Sequence, residues 1–489
     1  MKKRLFCLMA LILCLLLCFV SCNSEAPENT ESSISPDADN NTENKVPQYL
    51  DYKLSEDESH YIVTGIGTYT DPNLIIPEEH NGLPVKEIKD GAFIGCDSIM
   101  LVTIPDTITT LSHNIFTDCH NILSVTIGKN VTEIKEYAFH NCRNLVEVVN
   151  KSPYVTITKD ESNGMVGINA LSISNAEDDY KTCISFWDNG FIVFDDGSYR
   201  RLMKSTGTDK RVVIDSSFSA IHPYAFYENL DIVWLEVEGP LLSIGEYAFR
   251  NCAHLISVIF NDTIHEIGKD AFYHCYSLVE VVSKRGPVIE RYNSENNGGL
   301  GDFIGHDRKI FNPGDTYETI LSYTDDGYIL REYGDTTYIL GYLGNETELT
   351  LPETRGIGEV GVYAFYKNEK IKSVTLGPNI HHLHGYSFAY CTSLERVTFV
   401  TKDKEFPYLG QIEGISILGS YAFKGCVSLI EIFIPKSVDL VYANVFEDTS
   451  LLRALCEHAY EDSRIFLPGW LPTSTANAYF GCTNPSKRE

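Results

Sequence analysis

Residues 85–111 read VKEIKDGAFIGCDSIMLVTIPDTITTL and are centred on Phe93. The pattern returns nine more times, and the ten copies form three blocks. Within a block the step between copies is 23 residues, except for one step of 35 residues before Phe423. A fixed period in the low twenties is typical of a solenoid, in which one coil buries its apolar face only against the next coil. The ten central residues are Phe93, Phe116, Phe139, Phe226, Phe249, Phe272, Phe365, Phe388, Phe423 and Phe446.

Three further positions of the repeat are apolar in every copy, five residues before the Phe and six and nine residues after it. In the first copy they are Ile88, Ile99 and Val102. The residues that follow the Phe alternate between apolar and polar, as in LVTIP, which predicts a short β-strand with one inward face. The segment around the Phe, such as EYAFHNC, has room for only a turn or two of helix. Each coil is therefore predicted to contain a strand, a turn and a short helical turn.

The pattern I-x4-AF-x2-C-x2-L-x2-V-x-I resembles the BspA-type leucine-rich repeat of bacterial surface proteins, over ten coils and roughly half of the chain. The fold class expected is an α/β repeat, a leucine-rich-repeat solenoid of 23-residue coils with parallel β-strands and short helical turns, interrupted by β-hairpin insertions. The resemblance also implies protein–protein contact at the cell surface, including adhesion to host matrix proteins and to other bacteria.

The first 21 residues predict an export signal, because a basic start precedes an apolar run that is too short for a membrane span. They lead into Phe-Val-Ser-Cys, which resembles a bacterial lipobox and implies lipid modification of Cys22. The alternative is an ordinary signal peptide with a chance cysteine. The polar, acidic residues after Cys22 contain no aromatic side chain and predict a disordered tether. The expected location is the outer face of the bacterial cell envelope, through a lipid anchor.

The block boundaries follow from related segments at 52–77, 191–215 and 328–352, whose aromatic and β-branched residues predict hairpins that cap the sheet edge. The segments 151–185 and 284–318 are Asn-, Gly- and Ser-rich and are predicted to be loops. The end of the chain resembles the family's C-terminal cap at Cys456, Glu457, Gly469, Trp470, Tyr479 and Phe480. The predicted organisation is 1–21 signal peptide, 22–48 tether, 49–150 hairpin cap and first block, 151–283 insertion and second block, 284–458 insertion and third block, and 459–489 C-terminal cap.

The formal net charge of −28 makes nucleic acid a poor partner and leaves the N-terminal lipid as the expected membrane contact. No catalytic, nucleotide-binding or metalloprotease motif occurs, so we expect no enzyme activity and no cofactor. The chain has one histidine cluster, HHLH at 381–384. A zinc site there would need further ligands that the neighbouring sequence does not supply, so we predict no metal and solvated histidines.

Seven cysteines occupy the third position after the Phe, where other copies have Asn or Thr. Stacked coils place equivalent Cα atoms about 5 Å apart, within disulfide range. Parallel side chains in one column, exchanged for Asn and Thr, favour free buried thiols instead. A bridge between Cys456 and Cys482 in the cap is an open alternative. The column contains Cys96, Cys119, Cys142, Cys252, Cys275, Cys391 and Cys426.

The outward strand positions, eight and ten residues after each Phe, form a surface that we call the strand face. Most of its residues are small and polar, and a large apolar residue there marks a binding hot spot, unless an inserted loop covers it. The candidate binding residues are Trp234, Glu236, Ile259, Val282, Arg396 and Phe433.

The predicted function is a non-catalytic cell-surface binding or adhesion protein that presents the strand face to a macromolecular partner. The expected partner is an extracellular protein, from a host matrix or another cell surface. One alternative is capture of a glycan by stacking on Tyr and Trp side chains. The other is an enzyme housed in the inserted segments.

Overall fold

The computed structural model describes residues 49–178, 182–290, 298–300, 308–352, 357–403, 412–435, 437–442, 444–450, 453–456 and 479–482. These residues belong to one unit that begins at Tyr49. The predicted signal peptide, the predicted lipidation site Cys22 and the tether lie outside the described residues, as do Glu457, Gly469 and Trp470 of the predicted cap. Within the described ranges no helix is both long enough and apolar enough to cross a membrane.

Each regular coil contributes two short strands that pair in parallel with the equivalent strands of the next coil. Val102, Val125 and Val148 are in register in one ladder, and Leu111 pairs with Ile134 in the other. Alternate residues of both ladders point into a common core, as the period of two in the sequence requires. The predicted solenoid of parallel strands with a 23-residue repeat is therefore confirmed.

The strands group into three blocks. The first contains β1 (Asp51–Leu54), β2 (Tyr61–Gly65), β3 (Asn73–Ile75), β4 (Glu79–His80), β5 (Leu83–Ile88), β6 (Leu101–Thr103), β7 (Thr110–Leu111), β8 (Ser124–Ile127), β9 (Glu133–Ile134), β10 (Glu147–Asn150) and β11 (Ser172–Ser174). The second contains β12 (Ile184–Phe186), β13 (Phe191–Asp195), β14 (Arg200–Ser205), β15 (Arg211–Ile214), β16 (Ala220–Ile221), β17 (Trp234–Val237), β18 (Ser243–Ile244), β19 (Ser257–Phe260), β20 (Glu280–Ser283) and β21 (Lys309–Phe311). The third contains β22 (Leu321–Tyr323), β23 (Tyr328–Tyr333), β24 (Thr336–Tyr342), β25 (Glu348–Thr350), β26 (Ile357–Val360), β27 (Ser373–Leu376), β28 (His382–Leu383), β29 (Arg396–Phe399), β30 (Lys402–Asp403), β31 (Ile412–Glu413), β32 (Ile417–Leu418), β33 (Glu431–Ile434), β34 (Leu440–Val441), β35 (Arg453–Cys456) and β36 (Tyr479–Cys482).

The prediction of short helical turns is wrong, because the segment around each Phe is a series of tight turns. Each regular coil has two residues with positive φ, two before and two after the Phe, such as Tyr137 and Asn141, both with φ of 61°. A left-handed residue interrupts a right-handed helix. Between Tyr137 and Asn141 the hydrogen bonds of successive amides alternate: Phe139 N–H donates to Gly164 O in the next coil, whereas His140 N–H donates within its own coil to Tyr137 O. Among the described residues, one 3₁₀-helix, Asn163–Met165, is present.

The central Phe residues stack on one another along each block and define its core. The ring centroids of Phe226 and Phe249 are 4.6 Å apart, and those of Phe249 and Phe272 are 4.9 Å apart, with nearly parallel planes. Each block has its own core, closed at its start by an antiparallel hairpin where the sequence predicts one.

The segments predicted to be loops between the blocks instead extend the stacks by further coils. Strand β11 pairs in parallel with β10, and Phe139 N–H bonds to Gly164 O as it would to a regular coil. After the second block, β21 pairs in parallel with β20, and Ile289 and Leu300 join its core. The predicted boundaries at 150 and 283 therefore fall inside the first and second stacks. The Asn- and Gly-rich composition hides these coils, because their few apolar residues do not keep the regular spacing.

Successive blocks meet through a three-stranded antiparallel sheet, which we call the docking sheet. The second block begins with β12–β13–β14, and the third begins with β22–β23–β24. One side of β13 and β14, with Val193 and Leu202, enters the core of its own block. The other side, with Phe194 and Met203, packs on Val146 at the end of the preceding block. Residues on both faces of β13 and β14 are thus buried, whereas the outer strand β12 leaves Phe186 exposed.

The docking sheet packs on the preceding block through a column of side chains, one from each coil, seven residues after the central Phe. In the second block this column is Val233, Ile256 and Val279, all buried against Leu321, Ile329 and Leu340 of the next docking sheet. In the third block the same column holds Lys372 and Glu395, both exposed, and Ile430, which is 54% exposed. The column is apolar in the second block, where a docking sheet packs on it, and it is exposed at these three positions of the third block.

Candidate binding surface

An aromatic cavity lies on the strand face of the second block. Trp234 on β17 and Ile259 on β19 point outward from adjacent parallel strands. Tyr323, on the outer strand of the third block's docking sheet, approaches Trp234 with 5.6 Å between ring centroids. The cavity has a volume of about 400 Å³, and Arg211, Glu236 and Tyr317 also line it. It is open to solvent, since Tyr323 remains 50% exposed.

A buried carboxylate, Glu280 at the start of β20, anchors the wall of this cavity. Its carboxylate accepts hydrogen bonds from Ser257 Oγ at 2.6 Å, Thr319 Oγ1 at 2.9 Å and Ile320 N at 3.2 Å. The Tyr317 hydroxyl donates a fourth, at 3.3 Å. Glu280 is 1% exposed, so these donors replace the water that would otherwise hydrate the carboxyl oxygens. They also hold Tyr317 beside the strand face.

The junction between the first and second blocks repeats this arrangement. Glu147 is 2% exposed and accepts from Ser124 Oγ at 2.6 Å, Cys183 N at 2.6 Å and Thr182 Oγ1 at 3.3 Å. Glu147 and Glu280 are both eight residues after the last regular Phe of their block. A sequence signal was therefore present: a glutamate on the strand face, a serine one coil earlier, and a threonine just before the docking sheet.

A surface ion pair sets the charge of the cavity rim. Arg211 Nη2 lies 2.8 Å from Glu236 Oε2, and Asn261 Nδ2 donates to Glu236 Oε1 at 2.9 Å. The hydrogen bond from Arg211, followed by that from Asn261, lowers the pKa of Glu236, which is therefore ionised at neutral pH. The Arg211 side chain is 69% exposed, so the rim presents both a cation and an anion to a ligand.

Three of the six candidate binding residues, Trp234, Glu236 and Ile259, line this cavity. Val282 does not lie on an open surface, because it is 1% exposed on β20, where its backbone pairs with Phe311 of the inserted strand β21. Arg396 and Phe433 are exposed on the third block and do not contribute to the cavity. Sequence reasoning missed Arg211, Tyr317 and Tyr323, which lie outside the regular repeats.

The cysteines of this column lie in the cores of the blocks, and their thiols donate hydrogen bonds to backbone carbonyl groups of the preceding coil. Cys252 Sγ donates to Phe226 O at 3.0 Å, and five other thiols make the equivalent bond. Asn229 and Asn368 replace cysteine in the first regular coil of the second and third blocks. The structure describes eight cysteines as free thiols. Strands β35 and β36 align the backbones of Cys456 and Cys482, but the side chains of both lie outside the described residues.

We expect the buried thiols to be unreactive in the folded protein. Burial raises the pKa of Cys119 and Cys275 to about 12, so hardly any thiolate forms at pH 8. A thiol reagent should titrate at least eight groups in denaturant without reductant, and six of them only after unfolding. Fewer than eight in denaturant would contradict the free-thiol assignment. Alkylation under native conditions followed by mass spectrometry identifies the protected set, Cys119, Cys142, Cys252, Cys275, Cys391 and Cys426.

The histidine cluster differs from the prediction of solvated side chains. The side chains of His382 and His384 are only 22% and 25% exposed. Glu359 from the preceding coil lies beside both histidines, and its side chain is also 22% exposed. His384 Nε2 is 2.5 Å from Glu359 Oε2. His381 points elsewhere and makes a hydrogen bond of 3.3 Å to Gly414 O. Glu359, which could bind a metal ion together with His382 and His384, is 23 residues before His382 in the sequence but lies beside it on the adjacent coil.

The fold and the strand-face cavity define a leucine-rich-repeat solenoid with a ligand-sized surface cavity. The BspA type leucine rich repeat region matches residues 73–179, 206–292 and 341–454, which together are more than half of the chain. The chain therefore belongs to the BspA-type leucine-rich-repeat family. No curated protein matches its sequence.

Similar solved structures include three bacterial proteins. A leucine rich cell surface protein from Faecalibacterium prausnitzii is 17% identical, with 85% of this chain and 89% of that chain covered and a TM-score of 0.30. The pneumococcal vaccine antigen PcpA is 16% identical over 84% and 81% of the two chains, with a TM-score of 0.28. A leucine-rich repeat protein from Bacteroides ovatus is 15% identical over 84% and 94%, with a TM-score of 0.20. Because every TM-score is below 0.5, family membership rests on the sequence match.

Proposed function

We propose that this protein is a non-catalytic, lipid-anchored cell-surface adhesin that binds an extracellular protein through the strand-face cavity of the second block. The observation that carries the proposal is the aromatic cavity bounded by Trp234 and Tyr323, with the Arg211–Glu236 pair at its rim. Aromatic and arginine side chains dominate binding energy at protein interfaces, especially inside partly desolvated pockets.

The rigidity of the surroundings supports this site. Trp234 is held in a parallel ladder between β15 and β19, and the opposite wall is anchored by the four hydrogen bonds to Glu280. A preformed cavity loses little conformational entropy when a ligand enters. A side chain of a partner with an apolar body and a charged end would contact the rings and the Arg211–Glu236 pair together.

Glycan capture is the second candidate, because aromatic rings beside a carboxylate and a guanidinium also suit a sugar ring and its hydroxyl groups. The adjacency of Trp234 and Tyr323 favours it. Since their planes meet at 54°, they form a corner and not one flat stacking platform, which favours a protein side chain.

A binding assay tests the proposal. Immobilised wild-type protein is probed with host matrix proteins and with cell-surface glycans, beside Trp234→Ala and Ile259→Arg. We expect a protein ligand whose affinity falls about 30-fold or more in both variants, as for a hot spot of about 2 kcal/mol. Phe433→Ala is the matched control, because Phe433 is an exposed aromatic residue on the strand face of the third block.

Thermal unfolding of each variant separates lost contacts from misfolding, since Trp234 also packs beside the junction cluster. Retention of binding by both cavity variants, with loss in Phe433→Ala, would move the site to the third block. Binding to glycans alone would favour the second candidate.

A further inference from the structure

Three side chains with metal-ligating atoms converge on two neighbouring coils of the third block. Strands β26 and β28 pair in parallel with Glu359 beside His382, and His384 follows two residues later on the same face. One ligand atom of each residue lies within 4.8 Å of the others. Within the described parts of the chain, no other group of three such side chains comes this close together.

The distances are close to those of a bound metal ion. Glu359 Oε2 lies 3.8 Å from His382 Nδ1 and 2.5 Å from His384 Nε2. A tetrahedral zinc ion, with bonds of about 2.0–2.1 Å, separates its ligand atoms by about 3.3 Å. The distance from Glu359 to His382 is already close to this value. The distance from Glu359 to His384 is that of a hydrogen bond and must increase by about 1 Å for an ion to bind. Side chains that are 22–25% exposed have room for this rotation.

The surroundings of the cluster supply outer contacts. The Tyr338 hydroxyl, on the docking-sheet strand β24, hydrogen-bonds to the Glu359 carboxylate. The Tyr338 ring also lies 5.6 Å from that of His384, between centroids. Such outer partners orient metal ligands and strengthen binding.

We propose that Glu359, His382 and His384 form a zinc-binding site with an open fourth coordination position. Imidazole nitrogens favour zinc over calcium and magnesium, which prefer oxygen ligands. The three ligands come from successive coils, and their outer partner comes from the docking sheet. A bound ion would therefore brace the first coils of the third block, and its open position would accept water or a donor from a binding partner.

The test is calorimetric titration of the full-length protein, purified without a histidine tag and treated with a chelator, with zinc chloride. We expect one ion per chain, and a rise in the unfolding temperature at saturation, because the ion binds the folded state. His384→Ala and Glu359→Gln should each weaken binding at least tenfold. Cobalt as a spectroscopic probe should give the visible absorption of a tetrahedral nitrogen- and oxygen-ligated ion, which both variants lose.

His113→Ala is the matched control. His113 and Asp90 are also a histidine and a carboxylate 23 residues apart in adjacent coils, with 3.9 Å between Nδ1 and Oδ1, but they belong to no three-ligand group among the described residues. This variant should bind zinc as the wild type does. Unchanged zinc affinity in His384→Ala and Glu359→Gln, or no binding at millimolar zinc, would overturn the proposal. Circular dichroism confirms that each variant is folded.

Discussion

Phe249→Ala is expected to lower the free energy of unfolding by about 3–5 kcal/mol, the usual cost of removing a buried aromatic ring. Phe249 is fully buried in the middle of the second block and stacks on Phe226 and Phe272. Its removal leaves a cavity between two coils whose strand pairing prevents them from moving together. Urea unfolding followed by circular dichroism measures the loss.

Leu242→Ala is the control for this substitution, because Leu242 lies in the same block and is 54% exposed. It should change stability by less than about 1 kcal/mol. If Phe249→Ala cost no more than Leu242→Ala, the Phe ladder would not be the structural core of the block.

Glu280→Ala is expected to destabilise the junction between the second and third blocks by about 3 kcal/mol. The substitution leaves the buried Ser257 Oγ and the less buried Thr319 Oγ1 and Ile320 N without their acceptor, and a buried donor without a partner is costly. Hydrogen exchange at the Ile320 amide measures the effect directly. Exchange should become faster there, and the segment 312–320 should become sensitive to proteolysis.

Glu348→Gln provides the comparison, because Glu348 is exposed on β25, beside Ser373 in the strand ladder of the third block. The hydrogen-exchange pattern of the Glu348→Gln variant should match that of the wild-type protein. Full protection of the Ile320 amide in Glu280→Ala would show that the docking sheet holds the junction without the carboxylate.

The stacking of the coils could be predicted from the sequence because it depends on side-chain volume at fixed positions. Positions such as Phe93 and Val102 are apolar in every copy, and burial alone explains them. The turns around the Phe could not be predicted, because their left-handed residues include Tyr137 and Tyr224, a residue type that does not favour positive φ. Of the ten copies, only the first, with Gly91 and Gly95, has glycine at both positions.

The candidate sites were only partly predictable for a different reason. Trp234 and Ile259 follow from the repeat register, but Tyr323 reaches them from the next block through an irregular linker. The zinc ligands combine HHLH with Glu359, which is 23 residues before His382 and so one coil away. Searching for ligands by neighbouring sequence overlooks a partner that the stacking period brings into contact.

Site-specific photo-crosslinking tests the central claim, that the strand face of the second block binds the partner, most directly. A photoreactive amino acid is placed at Ile259, inside the cavity, and at Thr126, a half-buried position on the strand face of the first block. With the protein ligand from the binding assay present, we predict a covalent adduct from position 259 and none from position 126. An adduct from position 126, with none from position 259, would contradict this account.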